Sequence, residues 1–258
     1  MAATTLKAFT YQVLVDCYGE VPYTEAMQDL ANMSPKYDEG ADIYAALIDS
    51  LDFALSKVLP ANKVCTNMLY PDEDATNWIR FANAVKLKIL MRESGVKDVQ
   101  AKLDALVAEN NFPIEDVEYK NMFKNESGQM SPFYAEEFSS AWGSTQQNVV
   151  ANIAIIGTMQ QSGYTDPRLP KFFKMNGNKE YTGGISGTNF STSSTFKSTY
   201  WCRPVASYDM PVSLISVSEI EFFLSEYYAK KGEAANAASH YASAVEASFA
   251  STGVDGAD

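Results

Sequence analysis

Residues 218–249, SEIEFFLSEYYAKKGEAANAASHYASAVEASF, read as two amphipathic helices joined at a glycine. Leu224, Ser225 and Tyr228 fall at helical spacing in the first, Gly232 stops it, and Ala237, Tyr241 and Ala244 follow in the second. Small residues where two backbones touch, with aromatics filling the gaps beside them, are the pattern of helix-pair repeats about 34 residues long. One such pair cannot bury its apolar face by itself, because arrays of this kind need about three stacked units. The pair therefore requires more helices upstream.

They are expected there. The interval 5–18 repeats Leu6, Phe9, Val13 and Cys17 until Gly19, and 38–58 repeats Tyr44, Leu47, Leu51, Ala54, Leu55 and Val58 until Pro60. A helix over 75–94 carries Trp78, Ala82, Val85 and Ile89, a shorter one over 97–109 carries Val99, Leu103 and Leu106, and another is expected over 146–161 through Val149, Ile153, Ile156 and Met159. Between them the pattern fails. Pro113, Gly128 and Pro132 interrupt a stretch crowded with Phe112, Tyr119, Met122, Phe123, Phe133, Tyr134, Phe138 and Trp142, and 176–198 is rich in Gly, Ser, Thr and Asn, as in a surface loop or hairpin. Short edge-like strands are expected near Tyr200–Val205 and Pro211–Leu214. The expected class is mainly α: one domain over 1–258, with a tetratricopeptide-like helix-pair scaffold (about 5–110, 146–161 and 217–250). A loop-rich irregular region (about 111–145 and 162–216) completes it.

Composition excludes several functions. A net charge of −12 argues against nucleic acid, which demands clustered cations. No apolar run approaches the length of a membrane span, and the first residues lack the character of a signal peptide, so the chain as given is expected to be soluble. Cys17, Cys65 and Cys202 lack metal-ligand spacing and are expected to be buried thiols, with one disulfide left open. His240 is the sole histidine and falls inside the closing helix pair, and no nucleophile-elbow, zinc-protease or phosphate-loop motif is present. No catalysis, metal or cofactor is therefore expected. The acid pairs Glu115-Asp116 and Glu136-Glu137 read as solvated surface rather than a glycosidase dyad, and Asp72 and Asp74 suit the N-terminus of the 75–94 helix better than a calcium loop.

Four segments in order resemble the SusD/RagB family of outer-membrane nutrient-binding lipoproteins. Val15-Asp16-Cys17-Tyr18-Gly19-Glu20-Val21-Pro22-Tyr23-Thr24-Glu25-Ala26 is similar to that family's helix end and Gly-x-Val-Pro-Tyr turn, and the residues from Trp78 to Arg92 to its long scaffold helix. Asp166-Pro167-Arg168-Leu169 and the tail from Glu219 complete the series. The resemblance implies a helix-pair stack with ligand-binding loops, and a non-enzymatic protein that passes glycans or other nutrients to a SusC-type TonB-dependent transporter. It further implies a cell-surface location at the outer membrane, held only by a lipid anchor absent from these residues. Sugar recognition needs flat apolar rings beside adaptable polar groups, and Trp142 with Tyr134, and Trp201 with Tyr200, are the candidates because they flank the irregular region. The competing readings are that these rings fill the core, and that the chain is a helical protein-interaction module that binds no small ligand. The tail's outer face, around Tyr241 and Val245, is expected to leave apolar area bare.

Overall fold

A computed structural model describes residues 1–59, 62–64, 68–71, 74–139, 149–161, 163–187 and 200–255. The chain divides into two units, Met1–Val117 with Leu214–Ala244, and Glu118–Ser213 with Val245–Asp258.

The first unit is helical: α1 (Ala2–Tyr18), α2 (Gly40–Lys57), α3 (Ala75–Glu93), α4 (Gln100–Glu109), α8 (Val217–Lys230) and most of α9 (Ala234–Thr252). α3 packs against α1, α2, α4 and α8. Its apolar residues accordingly go all the way round, with Trp78, Phe81, Ala82, Val85, Leu87, Ile89 and Leu90 all buried. Asp74 caps it by accepting from Thr76 N at 2.8 Å, the N-terminal role expected of this acid, while Pro60, Cys65 and Asp72 lie outside the described residues.

Polar contacts fix how the helices meet. Asp16 on α1 accepts from the Tyr44 hydroxyl on α2 and pairs with Arg92 Nε on α3 at 3.2 Å, so one carboxylate ties three helices. Burial and the neighbouring carboxylate push the Tyr44 hydroxyl's pKa well above its ordinary value. Lys88 on α3 reaches Glu219 on α8 at 2.9 Å. On α4, Asp104 accepts from the Tyr227 hydroxyl and from Lys231 Nζ at 3.2 Å. The closing pair is held by Ser225 Oγ donating to Ala237 O at 2.8 Å and Ser218 Oγ donating to Ala244 O at 2.8 Å. Its histidine is structural: His240 stacks on Tyr228 at 5.2 Å, with Nδ1 2.6 Å from Glu221. The outer face is bare where expected at Tyr241, which is 57% exposed, whereas Val245 is half-buried.

Two expectations fail in this unit. The buried face of α1 is Thr5, Ala8, Gln12 and Val15, one position round from the series through Leu6 and Phe9, so Val13 and Cys17 are exposed and Cys17 is not a buried thiol. The shift brings Gln12 and Tyr11 inward, where Gln12 donates to Asp16 and Tyr11 to Pro22 O at 3.3 Å. Asp116 is not solvated surface either, because its carboxylate accepts from Val217 N at 2.7 Å.

The second unit holds short elements: α5 (Pro132–Glu137), α6 (Ile153–Met159), α7 (Leu169–Phe172), β2 (Phe173–Lys174) and β3 (Arg203–Pro204). β2 and β3 pair antiparallel, Phe173 opposite Pro204. The strands β1 (Val117–Tyr119) and β4 (Val212–Ile215) make a second two-stranded sheet. The helix expected over 146–161 begins only at Ile153, since Asn152 caps it by accepting from Ala154 N at 2.7 Å, and 146–148 lie outside the described residues. Glu137, expected at the surface, is buried.

Candidate functional site

The second unit has a small apolar cluster of Ala151, Ile156, Met159, Leu169 and Cys202, against which Phe173 and Tyr181 pack. Ala151 lies between two other segments: its N–H donates to Cys202 O and its carbonyl accepts from Gly184 N, each at 2.8 Å. Gly183 sits so close to α6 that a Cβ there would fall 2.4 Å from Ile153 N. Only glycine fits that approach.

Buried Asn176 organises the next layer. Its Oδ1 accepts from Asn178 N and Glu180 N, each at 2.9 Å, which folds 176–180 into a tight loop. Its Nδ2 donates to Thr182 Oγ1 at 3.0 Å and to Tyr200 O at 3.2 Å. Thr182 Oγ1 also donates to Tyr200 O, and Cys202 N donates to Thr182 O at 2.9 Å. The backbone on both sides of Trp201 is thereby pinned. The two rings stand 6.2 Å apart and inclined at 56°, with Tyr200 51% exposed and Trp201 half-buried. Burial raises the pKa of the neighbouring Tyr181 hydroxyl.

Tyr134 lies on α5, half-buried and nearly parallel to Phe138 at 6.1 Å and 11°. Phe133 meets Phe138 edge-on at 5.6 Å. Arg203 links this aromatic group to the other segment: its guanidinium lies 4.2 Å over Phe138, and it donates to Glu137 O at 3.0 Å and to Val149 O at 3.4 Å. Loss of water around the guanidinium lowers the Arg203 pKa, against the opposing pull of Glu137. Tyr200-Trp201 thus leads directly into the strand whose arginine clamps the end of α5. Trp142 lies outside the described residues. Sequence reasoning passed over Asn176, Thr182 and Arg203; the Asn-Gly-Asn at 176–178 was a usable turn signal, whereas nothing local to Cys-Arg-Pro marks Arg203 as a clamp.

The arrangement supplies a presented phenol ring, a partly covered indole and amide and hydroxyl groups that fix the backbone beneath them. No general acid or base is posed against a nucleophile by any of these contacts. Among the described residues no group of three or more His, Cys, Asp or Glu is placed to hold a metal ion, and no helix is long and apolar enough to cross a membrane. The helical unit has a groove of about 550 Å³ between α1 and α2, with Tyr23 and Phe53 as its aromatic walls. Each of those rings carries an ammonium, Lys7 at 4.6 Å and Lys57 at 5.3 Å, so it offers a flat sugar face less than Tyr200 does.

The SusD-like family model, described as starch-binding and associating with the outer membrane, matches residues 1–255. No curated protein sequence matches the chain. Among solved structures, it is similar to a SusD homologue from Bacteroides uniformis ATCC 8492, with a TM-score of 0.82 and 22% identity over 99% of this chain and 53% of that one. A SusD homologue from Bacteroides vulgatus ATCC 8482 gives a TM-score of 0.78 and 21% identity over 100% of this chain and 53% of that one. A chitin-binding protein gives 0.77 and 23% over 100% of this chain and 58% of that one. At these identities the likeness is one of fold, and the chain spans just over half the length of each.

Proposed function

The chain belongs to the SusD-like family of starch-binding, outer-membrane-associated proteins, and from that premise we propose that it captures oligosaccharide or polysaccharide at the cell surface and passes it to a SusC-type TonB-dependent transporter. Binding is the whole of its chemistry, with no bond made or broken. The observation that carries the reading is the half-exposed Tyr200 ring beside Trp201, on a backbone held by Asn176 and Thr182. A backbone fixed in this way leaves only the side-chain rotamers to be ordered when a pyranose face stacks on the ring, which lowers the conformational-entropy cost of binding. Tyr134 and Trp142 are the proposed further contacts. The chitin-binding name of one structural relative and the starch-binding description of the family make glucan and chitin oligomers the first ligands to try.

Calorimetric titration with malto- and chito-oligosaccharides tests this. Stacking is worth on the order of 1 kcal/mol per ring, so Tyr200→Ala should weaken binding about fivefold. Trp201→Ala should weaken it at least as much, and its melting temperature must be read alongside because the ring is half-buried. Absence of heat with every oligomer at millimolar concentration would remove the carbohydrate assignment. Reducing ends released from polysaccharide during a long incubation would overturn the non-enzymatic part. The rival reading, a helical module that docks a protein and takes no small ligand, draws on the exposed edge-to-face pair Phe222–Tyr241 on α8 and α9.

A further inference from the structure

The segment between α1 and α2 presents apolar side chains to water on a backbone tied down to hold them there. Its ends are bridged, Asp38 N donating to Val21 O at 3.0 Å. The Asp38 carboxylate accepts from Tyr23 N at 3.0 Å, Thr24 N at 2.7 Å and Thr24 Oγ1 at 2.9 Å. Glu25 braces the interior by accepting from Asn32 Nδ2 at 3.0 Å and Lys36 N at 3.1 Å. On this frame Met27, Leu30 and Met33 are 85%, 79% and 79% exposed. Met27 and Asp29 take left-handed backbone, at φ 60° and 50°, a conformation that aspartate tolerates but that is uncommon for a side chain as long as methionine's. A closed loop that holds its apolar residues outward is built for contact, and methionine adapts its shape to a partner.

Charge selects the partner. Across 20–39 the chain carries Glu20, Glu25, Asp29, Asp38 and Glu39 against Lys36 alone. Glu25 and Asp38 are spent inside the loop, while Glu20, Asp29 and Glu39 are exposed around it. Anionic lipid headgroups would be repelled by this rim and by the overall charge of −12. We infer that the 21–38 loop is a protein-docking element, whose partner offers an apolar recess for Met27, Leu30 and Met33 rimmed by Lys or Arg. This rests on the transporter reading above, and the transporter is the protein to test.

The experiment measures association of the full chain with the purified SusC-type transporter of the same organism in nanodiscs, by biolayer interferometry. Met27→Ser/Leu30→Ser/Met33→Ser should weaken it at least tenfold, and Asp29→Lys several-fold with a shallower salt dependence. Both variants should retain the melting temperature and oligosaccharide affinity of the parent, because the changed side chains are exposed. Transporter binding by the triple variant within twofold of the parent would overturn the docking role and leave the transporter reading standing. No binding by the parent would overturn both, with glycan capture still separately measurable. Binding to phosphatidylethanolamine–phosphatidylglycerol vesicles that the triple variant loses would assign the loop to a lipid surface instead, as would self-association lost in the same way to a second copy.

Discussion

Arg168 joins sequence-distant residues through a single side chain. Its Nε and Nη2 donate to Asp166 at 3.0 and 2.6 Å, Nη1 donates to Ser248 Oγ at 2.7 Å, and the guanidinium lies 4.2 Å over the Phe249 ring. The hydrogen bonds from Arg168 hold the Asp166 carboxyl below its usual pKa. A lowered folded-state pKa stabilises the fold above the unfolded value of about 3.9, and that contribution disappears as pH falls through the folded-state value. Arg168→Met leaves a buried carboxylate short of its donors and should cost about 2 kcal/mol in urea denaturation at neutral pH. The gap between variant and parent should narrow as the solution is acidified below about pH 4. An unchanged gap in acid would show that the stacking on Phe249, and not the ion pair, carries the effect. Asp166 and Arg168 were legible as a motif, but their tie to Ser248 and Phe249 was not, since no local pattern encodes a contact across 80 residues.

Among the elements, long helices were readable and their faces less so. α2, α3 and α8 follow their apolar period on the faces that pack against neighbouring helices, while Phe53 on α2 and Phe222 on α8 stay exposed. α1 does not: its inward face includes Thr5 and Gln12, whose Oγ1 and Nε2 donate to Met1 O and Asp16, and a hydrophobicity count cannot foresee such partners. α6 begins late for a related reason, since Ala151 serves the apolar cluster and hydrogen bonds to Cys202 and Gly184, and Val149 O accepts from Arg203, in place of a helix face. Two substitutions test these assignments. Gly183→Ala forces the backbone away from Ile153 and should destabilise by about 1–3 kcal/mol, the range for overpacking a close contact. Ser216→Ala removes the side chain that accepts from Glu219 N at 3.0 Å at the start of α8 and should cost about 1 kcal/mol. Denaturant midpoints with unchanged slopes check both.

For the whole molecule, charge and ligand chemistry separate the two proposed contacts. The candidate sugar site was legible as an excess of rings outside the helices; which ring reaches solvent was not, because that depends on Asn176 and Thr182 gripping the Tyr200 carbonyl. Stacking on Tyr200 and hydrogen bonds to a neutral oligosaccharide involve no net charge, so the strong negative field of the chain should hardly affect them. Docking through the acidic rim of the 21–38 loop is different, since exposed charges separated by more than a Debye length are screened, and that length falls from about 10 Å at 0.1 M salt to about 3 Å at 1 M. Raising salt across that range should leave oligosaccharide affinity within about twofold while weakening transporter association about tenfold or more, chiefly through a slower on-rate. Calorimetry for the sugar and interferometry for the transporter read the two responses on one preparation. Equal sensitivity of both would mean that salt acts on the protein itself and not on charges facing a partner, and would remove the electrostatic argument for the acidic rim of the 21–38 loop.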